Sequence, residues 1–114
     1  MNAYVILFMQ ALVLTIIIET GVLFLVLKYL LKKDFEPKKV IQTGVLASFA
    51  TIPYIWFVFP AFFSYTFAII IGEFFAFEVE AGIIKCMLKT SWKHAFLLSL
   101  LCNAASYSLG LLIF

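Results

Sequence analysis

The sequence predicts an all-α fold: a polytopic membrane four-helix bundle made of two repeated helical hairpins. Three observations carry this. Of the 114 residues, 66% are hydrophobic and 12% charged, whereas a soluble domain is nearer half apolar and about a quarter charged. Apolar runs recur four times, at roughly 4–27, 40–59, 62–84 and 95–114. Polar residues within those runs recur at matched spacings. About twenty helical residues cross the ~30 Å hydrocarbon core, so four spans use most of the chain. The expectation is one transmembrane domain, 1–114, with hairpins at about 1–60 and 61–114.

The first run is preceded by no basic stretch and is longer than a signal-peptide core, so it is expected to be retained as a helix. Pro37 opens the second run, where its missing N–H is harmless. Pro53, inside that run, removes one backbone bond and frees the carbonyl of Phe49. A kink is expected there, with Thr51 placed to help satisfy a freed group. Pro60 marks the turn into the third run, which carries Glu73, Glu78 and Glu80. The fourth run follows Lys93 and His94.

Topology follows from the lysines. There is no arginine, and the eight lysines are Lys28, Lys32, Lys33, Lys38 and Lys39 around the first connection and Lys85, Lys89 and Lys93 around the third. The second connection, 60–65, is uncharged. The positive-inside rule places the loops at 28–39 and 85–94 in the cytoplasm and both termini outside, in the cell's inner membrane. Tyr29 and Trp92 fall at the cytoplasmic interface; Tyr4, Trp56 and Tyr65 fall at the other. A net charge of +2 beside membrane spans suits anionic head groups rather than nucleic acid.

Cys86 and Cys102 differ in depth by roughly 10 Å, too far for a disulfide, and read as small packing residues. No C-x-x-C motif is present. His94 stands alone beside Lys93 and offers no ligand set for a metal. With no nucleophile–base pair and no phosphate loop, the reading is a non-enzyme without a cofactor.

The two halves overlay. Glu19, Gly21 and Lys28 match Glu80, Gly82 and Lys89 at an offset of 61 residues. Past the connection the offset falls to 55, and Lys38, Lys39, Ser48 and Thr51 match Lys93, His94, Asn103 and Ser106. Two hairpins inserted the same way up form a parallel repeat about the membrane normal.

Depth can be counted from the basic anchors. Glu19, Ser48, Glu80 and Asn103 each lie nine residues from one, or ~13–14 Å, against ~15 Å to the midplane. Four helices thus contribute one polar residue each to a common layer. A carboxyl there survives protonated, since a low dielectric disfavours its charged form, or ionised beside a cation. The layer is therefore a candidate proton or cation site. The plainer reading is interhelical hydrogen bonding, at about 0.6–2 kcal/mol per bond; it fits Ser48 and Asn103 singly better than it fits two matched glutamates. Gly21 and Gly82, about 200° round from the acids, are expected to permit close packing on another face.

Glu73 precedes Glu80 by seven residues, on the same face and about 10 Å further out, so the two form successive stations on one path. Glu78 points ~200° away from Glu80. It implies a contact with a second copy or another membrane subunit, or a protonated acid facing lipid.

Four spans and a first-span glutamate are shared with the small multidrug resistance transporters, but their aromatic–glycine signature is missing, and membership is rejected. The small fluoride channels are set aside for want of their glycine- and arginine-rich pattern. Thr51-Ile52-Pro53-Tyr54-Ile55-Trp56, followed by Gly72-Glu73 and Glu80, resembles a pattern in uncharacterised small four-span prokaryotic membrane proteins. That resemblance implies a membrane fold and brings no activity with it. The leading expectation is a small oligomeric protein moving a proton or small cation past Glu19, Glu80 and Glu73. The alternative is a non-transporting accessory subunit whose buried acids bind partner helices. A hydrated cavity reaching Glu80 favours the first; a dry centre with its acids hydrogen-bonded favours the second.

Overall fold

In a computed structural model of the chain, residues 2–32 and 34–113 are described. Lys33 and Phe114, used above for topology and for the end of the fourth run, lie outside the described residues. All regular structure among the described residues is helical. It forms four rods: α1 (Ala3–Leu30), α2 (Pro37–Phe62), α3 (Tyr65–Leu88) and α4 (Trp92–Ile113).

Each start has a local cause. The Asn2 side chain accepts from the Val5 N–H at 2.8 Å, and Ser64 accepts from Phe67. Ser91 accepts from His94. These side chains satisfy N–H groups that a helix start leaves without carbonyl partners. Pro37 occupies the first turn of α2, as expected. Leaving α3, Lys89 adopts a left-handed conformation with φ 53°, the geometry that ends many helices and that glycine usually supplies.

Three details differ from the sequence reading. Beyond Pro53 the backbone widens into a π-helical turn over Tyr54–Val58, a single-turn widening inside an otherwise α-helical rod. The Thr51 hydroxyl donates to the Ala47 carbonyl at 2.8 Å rather than helping Phe49, because a hydroxyl reaches its own i−4 carbonyl most easily. Pro60 lies in the last turn of α2, and the chain breaks at Phe63 and Ser64 instead.

Each rod packs on its neighbours in chain order, and α4 closes on α1. The bundle is 42 Å long, enough for a ~30 Å hydrocarbon core and part of both head-group layers. α1, α2 and α4 are each long and apolar enough to cross a membrane. α3 has 24 residues, ~36 Å as helix, but Glu73, Glu78 and Glu80 leave it outside that set. Apolar side chains cover much of the outside: Ile17 is 63% exposed and Phe74 64%, a surface fit for lipid rather than water.

The ends differ. Toward 60–65 aromatics cluster: Tyr4 donates to the Trp56 carbonyl, and Phe8 meets Phe57 edge-on at 4.7 Å between centroids. At the lysine-rich end Lys85 lies 5.3 Å over the Trp92 ring and Lys28 5.3 Å over Tyr29, in cation–π geometry.

Candidate functional site

The four residues counted to one depth meet inside the bundle. Glu19 and Glu80 are each only 2% exposed and Ser48 is fully buried. The Ser48 hydroxyl donates to Glu19 Oε2 at 3.0 Å. Asn103 Nδ2 donates to Glu80 Oε2 at 2.7 Å. These bonds are equivalents of one another under the 61- and 55-residue offsets, one within each hairpin. The two carboxyl residues line the same small void at the centre.

Supporting groups surround the layer. Asn103 Nδ2 is also 2.9 Å from the Ser99 carbonyl, and the Ser99 hydroxyl donates to the Phe77 carbonyl at 2.6 Å. Cys102 Sγ sits 3.6 Å from the Glu19 carbonyl. Both thiols are free; Cys102 is buried and Cys86 exposed, so only Cys102 packs in the interior. The sequence reading missed Ser99 and Cys102 as neighbours of the layer: Ser99 is signalled only by its place one turn before Asn103, and Cys102 carries no polar signal.

The remaining acids separate. Glu73 is half-buried, two turns from Glu80 on α3. Glu78 is exposed on the outside of α3. His94 is half-buried, not freely solvated, and its Nδ1 has no partner.

The expectation for the glycines is corrected. A Cβ at Gly21 or Gly82 would meet nothing within 4 Å, so neither mediates close packing within the chain. Gly44 does: a Cβ there would lie 2.1 Å from Thr20 Oγ1. The 200° turn from the acids carries Gly21 and Gly82 past the neighbouring helices, whereas Gly44 sits where α2 crosses α1.

Between the carboxyls and the lysine end lies a void of about 10 Å³, lined by Glu19, Leu23, Gly44, Ala47, Glu80, Ile84 and Cys102. One water needs at least ~10–15 Å³, so this void holds one at most. A second cavity of about 340 Å³ opens at the lysine-rich end, against Leu27, Leu88, Lys39 and Lys89. Among the described residues, no group of three or more His, Cys, Asp or Glu is placed to hold a metal ion. No family model, curated protein or solved structure matches the chain.

Proposed function

We propose that this chain is a non-transporting membrane subunit. Its four helices all span the inner membrane and are locked by a central carboxyl pair that shares a proton, and it joins a larger membrane assembly through the outer face of α3 at Glu78. One observation carries this reading: the centre is nearly dry, and both carboxyls are hydrogen-bonded within the bundle. Two carboxyls on one small void away from water disfavour a double charge, so the pair holds at least one proton between them. A neutralised or singly charged pair with buried donors is far cheaper in hydrocarbon than two bare charges.

The same bookkeeping supports α3 as a fourth span. Of its acids, Glu80 turns inward and Glu73 is half-covered, leaving Glu78 alone toward the outside. An intramembrane acid on the outer face calls for a donor from another helix. The matched Ser48–Glu19 and Asn103–Glu80 bonds support a duplicated hairpin, and the lysine segregation supports loops in the cytoplasm.

Purification from the native membrane tests the reading. Copurifying membrane subunits that are lost in Glu78→Leu support it; a lone homo-oligomer from native membrane contradicts it. Half-buried Glu73, beyond Glu80 on the same helix, favours a second reading: proton or small-cation carriage, seen here in an occluded state. Flux into vesicles of the purified chain that vanishes in Glu80→Gln supports that reading instead.

A further inference from the structure

The bundle is not alike on the two sides of the carboxyl layer. Leu23 lies one turn from Glu19 toward the lysines, and Ile84 one turn from Glu80; Leu27 and Leu88 lie a turn further. Leu23 and Leu27 are each 2% exposed, Ile84 1%, and Val40 and Leu98 from the other two helices fully buried. These side chains form one apolar cluster, with Leu88 packed against it. The hydroxyl of nearby Thr43 is taken up by the Lys39 carbonyl at 2.7 Å.

Away from the lysines the interior is small or polar. Its buried residues include Ala11, Ala68, Ala76 and Thr51, with Leu12, 8% exposed, the one large aliphatic side chain buried there among the described residues. Ser106 Oγ is buried there without a hydrogen-bond partner. Glu73 continues from Glu80 in that direction and is half-buried. Titratable groups around the pair are Glu73 of α3 and Cys102 of α4; α2 contributes only the hydroxyls of Ser48 and Thr51.

The apolar cluster is thin where it matters. Leu23 and Ile84 line the void beside the carboxyls, and Leu27 and Leu88 line the 340 Å³ cavity open at the lysine end. Two side-chain layers, ~6 Å apart along the helices, separate the two spaces.

From this asymmetry we infer that Leu23, Leu27, Ile84 and Leu88 form an apolar gate, closed in this structure, so that the carboxyl pair exchanges protons only with the face opposite the lysines, through Glu73. The inference rests on the helices spanning the membrane, and holds whether the pair serves as a lock or as a carrier.

Sided thiol labelling tests it. The protein is placed in sealed vesicles, and a membrane-impermeant trimethylammonium thiosulfonate is added to one face or the other. Native Cys86, exposed near Lys89, reports orientation and is expected to react from the lysine face. With Cys86→Ser, Cys102 is expected to be unreactive from the lysine face. Adding Leu23→Ala and Ile84→Ala is expected to speed its labelling from that face at least tenfold. In a Cys86→Ser, Cys102→Ala background, Glu73→Cys is expected to react from the opposite face only. Labelling of Cys102 from the lysine face at the rate of the gate variant overturns the gate. Labelling of Glu73→Cys from the lysine face, or from neither, overturns the route. Equal labelling of Cys86 from both faces overturns the membrane arrangement and the gate with it. If the double alanine variant does not fold, the sidedness of Cys102 and of Glu73→Cys decides alone.

Discussion

The half of the bundle nearer the lysines and the half beyond the carboxyls are built from the same helices but hold together differently. On the lysine side, Leu23, Leu27, Ile84, Val40 and Leu98 interlock with almost no exposed area. Beyond the layer, Ala68, Ala76 and Thr51 fill the interior, and aromatic contacts lie at the rim, as in Tyr54 against Phe75 at 5.4 Å. The difference teaches that stability and polarity are separated along one axis. Large aliphatics seal and stiffen one half, and the polar layer opens toward the looser half.

The largest expected effect follows from that contrast. Leu23→Ala or Ile84→Ala should destabilise the bundle by about 2–5 kcal/mol, as large-to-small changes in a closed core do. Thr51→Ala, in the other half, should cost no more than about 1.5 kcal/mol. Unfolding in detergent, followed by circular dichroism, compares them; equal losses would break the contrast.

Next in size is the α1–α2 crossing. Gly44→Ala should cost about 1–3 kcal/mol by overpacking against Thr20 Oγ1, which is itself buried without a partner. Thr20→Ala should return part of that loss, since contacting residues are not additive. A double-mutant cycle measures the coupling, and purely additive losses would show that the two do not touch.

Smaller still are the two matched bonds. Ser48→Ala and Asn103→Ala should each cost about 0.6–1.7 kcal/mol, with Asn103→Ala the greater because Asn103 also bonds Ser99. A reversed order in the same assay would sharpen the comparison of the hairpins in favour of the first.

Glu78→Leu should move the stability of the isolated chain least, within about 0.5 kcal/mol, as for an exposed site away from packing. A drop above 2 kcal/mol in purified chain would mean that Glu78 is held within the bundle.

Much of this could be read from the sequence. The four runs fall within a few residues of the helices, because apolar length is a direct measure of span. Counting from the lysines placed Glu19, Ser48, Glu80 and Asn103 together, because depth is linear in helix position. Other features were hidden. Gly44 and Gly21 look alike as letters, and only the crossing point of α1 and α2 tells them apart. Thr51 chose the Ala47 carbonyl over a neighbour freed by Pro53, a choice between close competitors. The sealed Leu23–Ile84 layer was invisible among so many apolar residues, since burial inside a bundle and exposure to lipid favour the same side chains.

The shared proton is tested most directly by infrared difference spectroscopy of the purified chain near neutral pH, unchanged against Glu80→Gln. The substitution is expected to remove a protonated-carboxyl stretching band. Loss of carboxylate bands alone, with no protonated-carboxyl band in the unchanged protein, would contradict it.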